Sequence, residues 1–264
     1  MTSPAPKTEK VAGTRPEGVR DEREAALRVQ QLFCEIAPRY DFLNHFLSFS
    51  LDRLWRRRTA RRFRQILSRA DAKILDLCCG TGDLAFALDR ARVRALGPAS
   101  SRRAPLVAGD FVEAMVERAR QKGIESRRAV QFAAADALEL PFAGASFDLL
   151  TTAFGFRNLS NYERGLREFA RVLKKGGEAG ILEFNEPARG PLAGTFRFYF
   201  RHILPRVGGA ISGNREAYAY LPNSVAKFPS PPELAAMMRR SGFGDIRQVF
   251  WNFGSVVLHT VVRE

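Results

Sequence analysis

Short apolar runs ending in small or acidic residues, each followed by a stretch of helical period, repeat along the chain from residue 74. Ile74-Leu75-Asp76-Leu77 leads into Cys78-Cys79-Gly80-Thr81-Gly82-Asp83 and then Leu84-Ala85-Phe86-Ala87-Leu88, the pattern of a buried strand, a tight glycine turn and a helix start. Pro105 to Gly109 reads as a second strand ending on Asp110, with a helix from Val112 to Lys122, and Val130 to Ala134 as a third strand leading to Asp136. Phe147 to Thr152 is the fourth, with Ala153-Phe154-Gly155-Phe156-Arg157-Asn158 as its carboxyl-end loop. A helix from Leu166 to Leu173, stopped by Lys174-Lys175-Gly176-Gly177, precedes a fifth strand from Ala179 to Phe184. A helix from Pro232 to Ser241 and two strands, Asp245 to Trp251 and Ser255 to Arg263, close the chain. Such alternation predicts an α/β fold with a doubly wound sheet.

Outside this body the pattern changes. Residues 1–22, with scattered proline, glycine and charge, read as a disordered tail. Residues 23–70 read as an N-terminal helical cap in which Leu32, Phe33, Ile36, Tyr40, Phe46, Leu54 and Trp55 alternate with an arginine-rich face from Arg53 to Arg64. Residues 71–187 form a ligand-binding core, interrupted from Arg90 to Ala104 by what reads as a long exposed loop. Residues 188–230 break the alternation with Phe198, Tyr199, Phe200, Tyr218 and Tyr220 among arginines, as an aromatic lid would, and residues 231–264 supply the last helix and strand pair. The division is thus one domain, 23–264, with two helical additions.

The balance of 42 Lys and Arg against 28 Asp and Glu gives +14. An acidic partner would suit this charge: a nucleic acid, or an anionic membrane surface under the arginine-rich helix, with an ordinary solvated face as the alternative. Cys34, Cys78 and Cys79 form no disulfide framework and no zinc pattern, which points to a reducing, cytoplasmic setting, and no run is long enough to span a membrane. Peripheral contact with the inner face of the membrane stays open.

Gly80-x-Gly82-x-x-Ala85 formally satisfies a dinucleotide fingerprint. Asp76 and Asp83 argue against that, because two carboxylates would surround and repel a pyrophosphate. A cationic ligand without phosphate fits better, and S-adenosylmethionine is one; Asp-x-x-x-Gly-x-Gly resembles the first motif of the class I methyltransferases. In such a sheet Asp110, at the end of the second strand, can accept both ribose hydroxyls, while Asp136 and the Ala137 N–H can meet the adenine edge.

From Phe33 to the C-terminus the chain resembles the ubiquinone/menaquinone biosynthesis C-methyltransferases. The marks are Ile36-Ala37-Pro38-Arg39-Tyr40-Asp41 with Leu43-Asn44, Leu51-Asp52-x-x-Trp55-Arg56, and Leu75-Asp76 through Asp83. They continue in Phe154-Gly155-Phe156-Arg157-Asn158, Arg171 to Gly177, Leu182-Glu183-Phe184 and Tyr218-x-Tyr220-Leu221. The resemblance implies a class I, Rossmann-like seven-stranded sheet with its last strand antiparallel, and S-adenosylmethionine as donor. It also implies C-methylation of a polyprenylated quinol, demethylmenaquinol first and the ubiquinone-pathway 2-polyprenyl-6-methoxy-1,4-benzoquinol second, or both. By the same resemblance Thr81, Asp110, Asp136 and Ala137 would contact the donor, beside Asp76, Gly80 and Gly82 of the turn and Ala153 of the fourth-strand loop. The chain departs from the family at Val112, where a polar residue is usual, at Ala153, where the family has serine, and in its extra residues before Asp110.

Methyl transfer to a ring carbon asks for alignment, exclusion of water and a group that draws off the phenolic proton. Arg157, Asn158, Glu183 and His202, with Arg206, are the polar candidates, and Phe154, Phe156, Tyr199 and Tyr218 the candidate walls. No metal is expected. Methyltransferases of another small molecule or of RNA are the distant alternatives. Nucleic acid is not the expected partner, since the chain has no Asn-Pro-Pro-Tyr-type motif.

Overall fold

The computed structural model describes residues 12–16, 18–97, 104–187, 193–212 and 215–264. Asp21 starts the first helix, α1 (Glu22–Ile36), by accepting the Glu24 N–H at 2.8 Å, and Ala25, Val29, Leu32 and Ile36 recur at helical spacing on its buried side. Helices α2 (Tyr40–Leu47), α3 (Leu51–Arg62) and α4 (Arg64–Leu67) complete the N-terminal block. The alternating body follows as β1 (Ile74–Leu77), α5 (Asp83–Leu96), β2 (Leu106–Asp110), α6 (Glu113–Glu125), β3 (Val130–Ala134), β4 (Phe147–Ala153), α7 (Tyr162–Val172) and β5 (Leu173–Phe184). Helix α8 (Ala193–Phe198), a π-helical turn (Tyr199–Ile203), α9 (Leu204–Ser212) and α10 (Arg215–Lys227) form the helical insertion. Helix α11 (Pro231–Arg240) and strands β6 (Phe243–Trp251) and β7 (Val256–Arg263) end the chain.

The seven strands make one sheet in the order β3-β2-β1-β4-β5-β7-β6; the first five are parallel, and β7 runs antiparallel to both its neighbours. Helices cover both faces, so β1 is buried at every position. Ile74 packs on one side with Phe63, Leu67, Leu84 and Leu88, and Leu75 and Leu77 on the other with Leu150, Leu166 and Phe169. Chain order reverses between β1 and β4, which are paired side by side, and a ligand crevice belongs outside the carboxyl ends of these two strands.

Three expectations are corrected. Arg90 to Leu96 is helix, not loop: Arg92 is buried and its guanidinium donates to the carbonyls of Ala70, Ala72 and Ala104 at 2.8–3.0 Å. The rest of that expected loop falls largely on 98–103, outside the described residues. Helix α7 ends at Val172 without a glycine stop, and Gly176 instead takes a left-handed φ of 74° within β5, where the register with β4 shifts. Residues 12–16, assigned by composition to a tail, lie against the body: the Thr14 N–H donates to the Leu159 carbonyl at 2.8 Å, and the Tyr162 N–H to the Ala12 carbonyl at 2.9 Å.

Candidate active site

The β1 turn is built by backbone that side chains resist. Cys78, Gly80 and Gly82 all have positive φ, of 50°, 53° and 88°, and the Gly82 N–H closes the turn on the Cys79 carbonyl at 2.9 Å. A Cβ at Gly82 would also come within 3.0 Å of the Phe86 ring and 3.2 Å of Phe132. Below the turn, Asp76 is buried; the Thr151 hydroxyl of β4 donates to its Oδ1 at 2.7 Å, and Oδ2 has no protein partner. Burial pushes its carboxyl up to about 7, against the help of Thr151. A cationic group brought beside Oδ2 would hold Asp76 ionised.

Two small cavities adjoin the turn, and Tyr40, Cys78 and Gly80 line both. The first, of about 90 Å³, takes Asp110 from the end of β2, then Asp136, Ala137 and Leu138 from beyond β3, with Phe111, Val112 and Met115 as apolar walls. Asp110 accepts the Gly80 N–H at 2.7 Å and the Val112 N–H at 2.9 Å; burial raises its pKa, and these amides oppose the rise. Asp136 turns its Oδ1 onto the Leu138 N–H at 2.8 Å. The second cavity, of about 20 Å³, is lined by Asp76, Thr81, Asp83, Arg56 and Ala153. Seven of the eight expected donor residues therefore face one pair of connected spaces, and Gly82 shapes the turn as the N-cap of α5.

The Thr81 hydroxyl donates to Asp41 and accepts from Lys122 Nζ at 3.2 Å, and Lys122 also reaches Asp41 at 2.7 Å and Asp83 at 3.0 Å. Burial opposes the ionisation of Asp83, but Arg56 and Lys122 outweigh it and keep its pKa low. This donor set suits S-adenosylmethionine. It offers a carboxylate oxygen without a hydrogen bond, a second buried carboxylate at the end of β2, and apolar walls beside it.

A larger cavity of about 240 Å³ lies between the N-terminal helices and the insertion. Its walls include Leu32, Ile36, Trp55, Phe184, Tyr199 and Phe200, and it shares Tyr40 and Phe154 with the Asp110 cavity. Phe154 sits against Phe184 with ring centroids 4.5 Å apart and against Trp55 at 5.8 Å. Of the expected walls, Phe154 and Tyr199 line this space, whereas Phe156 is fully buried in the core against Tyr162 and Phe169. The side chain of Tyr218 lies outside what is described.

Of the four expected catalytic residues, Arg157, Asn158 and Glu183 lie together, and His202 lies apart. Arg157 lines the large cavity and Asn158 the Asp110 cavity, where its Oδ1 accepts the Tyr220 hydroxyl at 3.0 Å. Glu183 lines neither; it is buried behind Arg157, pairing with the guanidinium at 2.8 Å and accepting the Arg157 N–H at 3.1 Å. His202 is exposed on the insertion with its ring against Phe198, Arg206 donates to its carbonyl, and neither lines these cavities. The carboxylate on the wall of the large cavity is instead Asp52. It accepts the Ser48 hydroxyl at 2.8 Å, pairs with Arg56, and meets His45 Nδ1 at 2.8 Å. Burial works against its ionisation, but Arg56, Ser48 and His45 together hold its pKa below the ordinary value. The Leu51-Asp52-x-x-Trp55-Arg56 motif carried this signal, since positions 52, 55 and 56 share a helix face. His45, Asp52 and Asp83 are close enough to share a metal ion, but Arg56 is paired to both acids and Lys122 to Asp83, so cations of the chain already meet that charge.

Residues 19–263 match the model of the ubiE/COQ5 methyltransferase family. The chain is 45% identical over 228 residues to the demethylmenaquinone methyltransferase of Deinococcus radiodurans, covering 85% of this chain and 88% of that one. To the demethylmenaquinone methyltransferase of Thermus thermophilus it is 46% identical over 228 residues, covering 86% and 98%. Among solved structures it is similar to a SAM-dependent methyltransferase from Thermotoga maritima, with a TM-score of 0.58, 18% identity, and coverage of 89% of this chain and all of the other, a likeness of fold.

Proposed function

Because the chain belongs to the ubiE/COQ5 methyltransferase family, whose members use S-adenosylmethionine as methyl donor, we propose that it methylates a ring carbon of a polyprenylated quinol, with demethylmenaquinol as the substrate. The observation that carries this reading is the large apolar cavity meeting the Asp110 cavity at Tyr40 and Phe154, so that an aromatic ring in the first faces a methyl group offered from the second. The benzoquinol of the ubiquinone pathway is the second candidate, since it presents the same kind of ring carbon.

When bound, the donor supplies an electrophilic methyl on a sulfonium, and transfer leaves a neutral thioether. In this proposal the chain's residues do the rest. Asp76 takes the donor's ammonium group, Asp110 the ribose, and Asp136 with the Ala137 N–H the adenine. Tyr40 and the Phe154–Phe184–Trp55 stack fix the ring plane and exclude water, and the insertion 193–227 with the N-terminal helices acts as the substrate lid. Asp52, on the cavity wall, accepts a hydrogen bond from the quinol hydroxyl and gives the ring phenolate character, with His45 Nδ1 at 2.8 Å and Arg56 holding the carboxylate in place. Arg157 stays a cation through its pairing with Glu183 and stabilises negative charge in the cavity. After the carbon–carbon bond forms, the ring loses its proton at that carbon and regains aromaticity.

The test is transfer of labelled methyl from S-adenosylmethionine to demethylmenaquinol in detergent under reducing conditions, beside the benzoquinol and total RNA. Label in the naphthoquinol is the expected result, with the Asp52→Asn rate roughly 10²-fold lower. Label in the RNA fraction alone would replace the quinol reading.

A further inference from the structure

At the mouth of the large cavity, large apolar side chains project into solvent. Phe49 is 76% exposed although it lines the cavity, and Phe253 is 78% exposed at the β6–β7 turn, next to Asn252, another lining residue. Both have a left-handed backbone, with φ of 51° and 57°, a conformation costly for an aromatic residue, and the Phe49 ring meets Tyr199 of the insertion with centroids 6.1 Å apart. The two tips belong to one rim. The Trp55 indole N–H donates to Asn252 Oδ1 at 2.8 Å, and the Arg58 guanidinium lies over Trp251 at 5.9 Å. Between the tips, α3 turns Arg53, Leu54, Arg57, Arg58 and Arg61 outward, while its acid, Asp52, is buried and paired inward. A row of cations thus stands beside exposed phenylalanines at the entrance to an apolar cavity, in a chain of net charge +14.

We propose that this rim docks on an anionic lipid bilayer, with Phe49 and Phe253 inserted among acyl chains and the α3 arginines over the head groups. The proposal rests on the quinol reading: docked this way, the cavity opens against the bilayer and a polyprenyl tail stays in lipid while its ring enters. Charge complementarity names the surface as anionic, and the apolar tips name it as lipid. The arginines alone would serve an RNA equally well.

The experiment is co-sedimentation of the full chain with phosphatidylcholine vesicles, with and without phosphatidylglycerol, at low and high salt and with total RNA as competitor. The variants are Phe253→Asn, which suits the left-handed backbone, and Arg53→Ser with Arg57→Ser; none of these residues lines the three cavities described above. Wild type is expected to sediment with the anionic vesicles, weakly at high salt. Phe253→Asn should bind about tenfold more weakly, and the double variant about 25-fold more weakly, at roughly fivefold per arginine. Methylation of a short-chain, water-soluble quinol should be unchanged in both. Wild type that ignores anionic vesicles, a Phe253→Asn variant that binds as wild type, or RNA binding that replaces vesicle binding would each overturn the docking surface. Vesicle binding without methylation of the short-chain quinol would leave the surface standing and remove the quinol reading.

Discussion

Asp76 makes the turn sensitive to pH. Its carboxyl is held near 7 by burial, against an ordinary 3.8, so between those values the folded chain binds a proton that the unfolded chain has released. Stability is therefore lost as pH rises through that window, by up to about 4 kcal/mol. The donor's ammonium favours the ionised form, so donor affinity should run the other way, weakening as pH falls below about 7. Asp76→Asn is expected to flatten both dependences, leaving a chain at least as stable at pH 8 whose donor affinity is roughly tenfold or more lower; calorimetric titration and thermal melts over pH 5 to 8 check this. A melt midpoint that falls in Asp76→Asn at pH 8 would mean that the carboxylate is ionised and partnered in the empty site. Asp76, Asp110 and Asp136 could be placed along the sheet's carboxyl edge from sequence because each stands at or near the carboxyl end of a strand, a position local pattern reveals. Nothing local shows that Glu183 serves Arg157 rather than the cavity, nor that His202 points to solvent, because a side chain's direction on an irregular insertion depends on what packs beneath it.

At the scale of elements, the site depends on how closely the β1 and β4 ends approach. A Cβ on Gly155 would fall 2.3 Å from the Cys78 Cβ and 3.2 Å from its carbonyl oxygen, so the two loops touch with no spare volume. Gly155→Ala should cost about 1–3 kcal/mol and weaken donor binding, since Cys78 and Gly155 both line the Asp110 cavity; a denaturant midpoint and a donor titration read the two effects, and an unchanged midpoint would show that the loops can separate freely. Strand identity was legible above all for β1, β2 and β4, which are parallel, buried almost throughout and read as apolar runs. Helix ends were less so. The arginines of α5 look like loop composition, yet Arg92 spends its charge on three carbonyls and its stem on packing, which the residue type alone does not announce. Gly176 resembled a helix stop and serves a bulge instead, because β5 pairs with β4 from Leu173 onward.

Over the whole molecule, the N-terminal segment ties distant parts together. Residues 12–16 bond to Leu159 and Tyr162, the Arg15 guanidinium donates to the Ser160 carbonyl at 2.6 Å, and the Thr14 hydroxyl meets Tyr220 of the insertion at 2.9 Å. Tyr220 in turn donates to Asn158 at the donor cavity. Removing residues 1–16 is expected to cost roughly 1–3 kcal/mol and, at about 2–4 °C per kcal/mol, to lower the melting temperature measurably; an unchanged melt would make the segment a free tail after all. Sequence by itself determined the α/β class, the order of strands and helices, the donor turn and the family, because these follow from short-range periodicity and from motifs whose residues lie within a few positions of each other. Tertiary structure alone decided that Asp52 and not His202 faces the large cavity, that Tyr40 and Phe154 stand where two cavities meet, and that Phe49 and Phe253 share one rim. Those facts join positions up to some two hundred residues apart, as the Trp55–Asn252 bond does. Such pairings are set by how helices pack over the sheet's carboxyl edge, which no local pattern encodes.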